Sequence, residues 1–243
     1  MKEGDTITIT FGETSGGSQG MRLQTFCEDS LEFRVLVDPI ATANYQALPV
    51  QPVIRIVPGK PVTFAAVVPT ARCPGETFDL KIKGEDTWGN PSDQCDVTYK
   101  VKSSRPVNGL PDSVTLAPGA FATIVEGLSV DAPGLVDIWF EDASGTEVFR
   151  ANPLCIQKDL ELKPYWVDLH GQSEETIGTG SARAFFEFAR DRAFVDAAGH
   201  QGNDFQITKG FWSHLDNLCE EFDEPGKFLT PLGYEWSGNT ALG

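Results

Sequence analysis

Histidine is scarce in this 243-residue chain: there are three, His170, His200 and His214, all in the last third. Metal ligation or proton transfer by imidazole is therefore confined to that third. Basic residues are scarce too, with 19 Lys and Arg against 35 Asp and Glu, a formal net charge of −16 and a pI near 4.5. Phosphate backbones need clustered Lys and Arg, so nucleic acid is excluded as a partner, and an anionic membrane surface is disfavoured. A small anionic substrate stays open, because a bound metal can supply local positive charge. No run approaches the ~18 apolar residues of a membrane span. The opening Met1-Lys2-Glu3-Gly4-Asp5 carries no apolar signal segment. The five cysteines, Cys27, Cys73, Cys95, Cys155 and Cys219, are scattered, odd in number and without the C-x-x-C spacing of a zinc knuckle. They read as reduced, mostly buried thiols of a cytoplasmic protein.

What is present divides near Gln157. Up to that point short β-type runs alternate with Gly, Pro, Asn and Asp: Thr6 to Phe11, Leu31 to Val37, Thr77 to Ile82 and Val136 to Phe140. Turn signals recur at Val57-Pro58-Gly59, Cys73-Pro74-Gly75, Ala117-Pro118-Gly119 and Ala132-Pro133-Gly134. Short strands punctuated at this spacing predict antiparallel β-sandwiches, and no long amphipathic helix is legible here. A boundary is expected between Pro49 and Pro58. It leaves a β-rich segment over 1–52, rather short for a sandwich of its own, and an immunoglobulin-like sandwich over 53–157. Glu85-Asp86-Thr87-Trp88-Gly89-Asn90-Pro91 breaks any regular element and resembles the D-x-x-G-N-P turn of bacterial immunoglobulin-like repeats. It reads as a hairpin turn with Trp88 packed nearby.

Beyond Gln157 the periodicity changes. Ala182, Phe185, Phe186, Ala189 and Ala193 fall on one face of a helix, with Thr179 and Ser181 as candidate N-caps. Phe211, Leu215, Leu218, Cys219 and Phe222 repeat the stripe from Thr208 to Phe222, and Glu224-Pro225-Gly226 ends it. Residues 165–235 thus read as strand, helix, strand, helix, strand, a β/α unit with parallel strands.

Three apolar runs in this region end in metal-capable side chains: Trp166 to His170, Phe194 to His200, and Phe228 to Glu235. Chemistry in parallel β/α folds sits at the carboxyl ends of strands, where His170, His200 and Glu235 would converge as a metal site. Each alone has a plain structural reading, as a surface or hydrogen-bonding residue. Asp168 would either orient a ligand or be a buried, hydrogen-bonded acid. Glu174, Glu175, Asn203 and Asp204 occupy the loops after the two histidines and can reach a metal or face solvent. His214 lies inside the second helix and reads as a packing or surface residue.

At these residues the chain resembles a known family. Asp168-Leu169-His170-Gly171-Gln172-Ser173 looks like the D-L-H-x-H-[ST] motif of the polymerase-and-histidinol-phosphatase (PHP) superfamily. Ala198-Gly199-His200 stands where that superfamily has T-D-H, and Gly233-Tyr234-Glu235 where it has G-x-E. The stretches His170 to Gly178, Gly199 to Phe205 and Gly233 to Asn239 are similar to the PHP-like "domain of unknown function 3604" family, over residues 165–243. The resemblance implies the first β/α units of a PHP-like, TIM-type barrel over 158–243, with β-rich segments ahead of it. It further implies that His170, His200, Glu235 and Gln172 hold divalent metal ions (Zn, Mn or Fe), with Asp168 in a supporting and Glu175 in an acid role. Gln172 replaces an imidazole by an amide, which shifts preference towards manganese or iron. The implied activity is metal-dependent hydrolysis of a small-molecule phosphoester. Since a barrel needs ~200 residues, the chain is expected to be either a fragment or naturally truncated, inactive and poorly stable alone. The rival readings are a non-catalytic β-sandwich binding protein with a degenerate barrel start, and a secreted adhesin-like sandwich array.

Overall fold

The alternation from Phe78 to Lys83 sets the architecture of most of the chain: Phe78, Leu80 and Ile82 are buried while Asp79, Lys81 and Lys83 are only partly so. Successive strand residues face opposite sides, so such a run needs an apolar partner on one side only. The structure is a computed structural model that describes residues 4, 6–38 and 40–238. It divides the chain into Met1–Val57 and Pro58–Gly243.

In the first unit β1 (Glu28–Glu32), β2 (Leu36–Val37), β3 (Gln46–Ala47) and β4 (Val53–Ile56) form two antiparallel pairs, β1 with β4 and β2 with β3. None of its described residues is buried, although Phe11 and Phe33 stack at 4.5 Å. The unit has paired strands but no sandwich core. The division at 57/58 lies within the stretch from Pro49 to Pro58, and β4, which completes a ladder with β1, falls on its N-terminal side.

The second unit begins with a β-sandwich. Its strands are β5 (Thr63–Val67), β6 (Ala71–Arg72), β7 (Phe78–Glu85), β8 (Val97–Ser103), β9 (Ser113–Leu116), β10 (Thr123–Leu128), β11 (Gly134–Val136), β12 (Ile138–Glu141), β13 (Glu147–Arg150) and β14 (Leu154–Ile156). They form sheets in the orders β10-β7-β5, β13-β12-β8-β9 and β11-β14-β6. Every pairing is antiparallel except β14 with β6. Leu80, Ile82, Leu128, Ile138, Phe140 and Leu154 meet in one continuous core. Phe140 stacks on Phe149 at 4.3 Å, and Tyr99 meets Phe149 edge-on. The Asp86–Pro91 turn is held by the nearly buried Asp86 carboxylate, which accepts from the N–H groups of Gly59, Trp88 and Asn90 and from the Asn90 amide. The Trp88 ring is largely exposed rather than packed into the sandwich.

The β/α segment expected over 158–243 lies in the same compact unit as the sandwich. Its elements are β15 (Val167–Gly171), α1 (Ala182–Phe188), a π-helical turn over Ala189–Ala193, β16 (Ala197–His200) and α2 (Lys209–Phe222). Ser181 caps α1 by accepting from the Ala184 N–H, and Thr208 caps α2 by accepting from Phe211. Ala182, Phe186, Leu215, Leu218, Phe222 and Phe228 form a second core over Ala198. β15 and β16 run parallel, and the third expected strand is reduced to two parallel bridges, Ala197 with Leu229 and Asn203 with Glu235. Phe194 ends the π turn in the left-handed region, at φ 65°. Its ring lies under the ammonium groups of Lys81 and Lys83 on β7, 5.7 and 5.4 Å from its centre. Arg192 stacks over Phe121, Lys163 pairs with Glu76, and the Trp166 indole donates to Thr70. Among the described residues no helix is long and apolar enough to cross a membrane, and all five cysteines are free.

Candidate functional site

Parallel strands send their loops out from the same end, and here the strand ends carry His170 and His200, while Gln172 and Glu235 lie beyond them. Two of these residues meet. His170 Nε2 stands 3.7 Å from Glu235 Oε2, with the His170 side chain 79% exposed. That gap is too long for a hydrogen bond. It suits two donors of one divalent ion, since ligand atoms each ~2.1 Å from a shared metal lie roughly 3–4 Å apart. The backbone on both sides is fixed: Asp168 Oδ1 accepts from the His170 N–H, Glu235 N–H donates to Gly202 O, and Asp204 N–H donates to Glu235 O.

His200 is directed elsewhere. Asp168 is in register with Ala198, yet Gly171, not His170, is in register with His200, so β15 gains one residue through an irregularity in the ladder. The residue level with His200 thus has no side chain, and an added Cβ there would lie 2.2 Å from Phe185 Cζ. His200 is 2% exposed and sits edge-on to Phe185 of α1 and Phe211 of α2. Gly202 N–H donates to its Nδ1, which places the ring proton on Nε2, 2.8 Å from Ser173 Oγ. Burial pushes the His200 pKa down, opposed in part by the Glu175 charge. The ring is neutral with both nitrogens bonded. As a donor towards Ser173 it cannot serve that hydroxyl as a base, so the buried Ser173–His200 pair is no nucleophilic dyad.

The remaining expected residues hold loops together. Gln172 Nε2 donates to Gln201 O at 2.9 Å, and its Oε1 accepts from Thr176 Oγ1 at 2.6 Å. Both ends of the amide are engaged, so here Gln172 clasps two loops instead of offering an oxygen to a metal. Glu175 accepts from the Ala182 N–H at the start of α1. Asn203 bonds Ser237, and Asp204 accepts from Phe205 N–H. His214 is exposed on α2, 6.4 Å from the Phe211 ring centre. Among the described residues no three His, Cys, Asp or Glu side chains stand together as a metal site would require. A divalent metal therefore fits this arrangement in part: His170 and Glu235 suit it, while His200 and Gln172 do not.

Sequence reasoning missed two features. Ser173, the last residue of the motif at 168–173, is the bonding partner of His200. A groove of about 630 Å³ is lined by Trp212, Tyr234 and Trp236 together with Asp204, Thr208 and Lys209. Its signal was the aromatic pair flanking Glu235, which reads equally well as core.

No family model matches the chain. Over 252 aligned residues, covering all of this chain, it is 23% identical to an uncharacterised protein of Chlamydia pneumoniae, of whose length it spans 40%. Among solved structures it is similar over 42% of its length to the whole PKD domain of an M14-like peptidase from a Thermoplasmatales archaeon, at 16% identity and a TM-score of 0.27.

Proposed function

We propose that this chain is the N-terminal portion of a metal-dependent hydrolase of the PHP type, acting on a small phosphoester-type substrate. In that reading the sandwich is immunoglobulin-like and the β/α segment opens a barrel. The observation that carries it is the His170–Glu235 pair, an exposed imidazole on β15 and a partly exposed carboxylate at the parallel bridge to Asn203, which could share one metal ion. His170 and Glu235 would hold the ion, which when bound supplies a water of lowered pKa and polarises a phosphoryl oxygen. Asp168 fixes the His170 backbone, and the Gly202 and Asp204 backbones fix that of Glu235. The clasp from Gln172 to Gln201 keeps the two loops beside the pair in place. The remaining ligands belong to other parts of a longer protein, as the length of the Chlamydia relative suggests.

Manganese and zinc content is to be measured after chelator-free purification, on this chain and on the complete gene product. The expected result is metal in the complete product that falls by at least half in both His170→Ala and Glu235→Gln, with circular dichroism unchanged. A complete product that holds no transition metal sinks the hydrolase reading. The bonded state of His200 and Gln172 favours a second reading, a β-sandwich binding protein whose β/α segment carries no metal. That same metal-free result would support it.

A further inference from the structure

The groove beside Glu235 combines two features that seldom coexist on a surface without a ligand: exposed aromatic rings and hydrogen-bonding groups of both signs. Trp236 is 72% and Tyr234 51% exposed, and Trp212 on α2 meets Tyr234 edge-on, at 5.9 Å and 74°. Leaving such rings in water forfeits their burial, and clustered exposed aromatics mark recognition surfaces. Asp204, Thr208 and Lys209 line the same groove, and its volume of about 630 Å³ falls within the ~300–1,000 Å³ of small-molecule sites.

From this lining we propose that the groove binds a neutral saccharide, with a pyranose face stacked on Trp236 or Tyr234 and its hydroxyls bonded to Asp204, Thr208 and Lys209. The chemistry separates this ligand from three others. A flat aromatic base is best held between parallel rings, whereas Trp212 and Tyr234 stand nearly perpendicular. A quaternary ammonium suits an aromatic cage, but Lys209 would repel it here. A polyanion is disfavoured by Asp204 and by the net charge of −16. A polyhydroxylated ring has apolar C–H faces for the aromatics and equatorial hydroxyls that accept from an ammonium and donate to a carboxylate. The lining of the groove includes none of His170, His200, Gln172 and Glu235, so binding there needs no metal.

The test is calorimetric titration of the intact chain, in the presence of EDTA, with cellobiose, cellotetraose and maltose. Saturable binding of at least one of them is expected, weakened roughly tenfold in Trp236→Ala. In Trp88→Ala, at an exposed tryptophan of the sandwich, binding should be unchanged. Trp236 lies outside both buried cores, so its removal leaves the fold in place. Absence of binding by all three sugars overturns the proposal. So does equal affinity in Trp236→Ala, or binding of adenosine or choline in preference to the sugars. Because EDTA is present, none of these results bears on the metal reading, and loss of metal in His170→Ala does not bear on this one.

Discussion

At the scale of single residues, the consequential finding is that His170 and His200, alike in sequence context, are opposites in environment. His170 is exposed beside a carboxylate, and His200 is sealed between two phenylalanine rings with both nitrogens bonded. The identity of both residues and their place after parallel strands were legible, because short apolar runs ending in His mark strand ends. Their orientation was not, since it depends on a one-residue irregularity in β15 that leaves no mark in composition. The buried ring also has a pH signature. Burial holds the folded-state pKa of His200 below its ordinary value, so the unfolded chain binds the proton more readily. The contribution is complete above about pH 6.5 and is lost as the pH falls through and below that value. Thermal melting followed from pH 7.5 to 5.5 should show a declining midpoint in the wild type and a flatter profile in His200→Asn. Parallel profiles would assign the acid sensitivity to other groups.

Among the elements, the helices of the β/α segment were the most legible, since both follow their apolar stripes and Ser181, one of the two candidate N-caps, caps α1. The third strand was the least, being reduced to two bridges where an apolar run had suggested a continuous ladder. The turn of π-helix after α1 was also invisible in the periodicity, because a one-residue widening barely shifts the buried face. Packing between β15 and α1 rests on Gly171, above which Phe185 lies closer than any Cβ would permit. Gly171→Ala should therefore cost about 1–3 kcal/mol by overpacking, measured as a lower denaturation midpoint at unchanged m-value. Phe185→Leu in the same background should recover part of that loss. If Gly171→Ala melts like the wild type, Phe185 does not hold the helix against the strand as described.

For the whole molecule, the turn signals correctly announced a β-rich first part, and within the stretch from Pro49 to Pro58 strand partnership, not composition, assigns Val53–Ile56 to the first unit. The two units also differ in how they are held. The described residues of the first form ladders and none of them is buried, whereas the second has two apolar cores. Local opening follows buried contact, so limited proteolysis should cleave within 1–57 well before 58–243. Mass spectrometry of the early fragments checks the order, and first cuts within the sandwich would contradict it. Inside the second unit, the sandwich and the β/α segment are joined by Lys81, Lys83 and Arg192 resting on Phe194 and Phe121. Part of the attraction at that seam comes from ring quadrupoles, which dissolved salt screens less than the Lys163–Glu76 ion pair of the same seam. The same salt screens the self-repulsion of a chain carrying sixteen excess negative charges. Rising salt therefore weakens the ion pair of the seam more than its ring contacts and relieves repulsion over the rest of the chain.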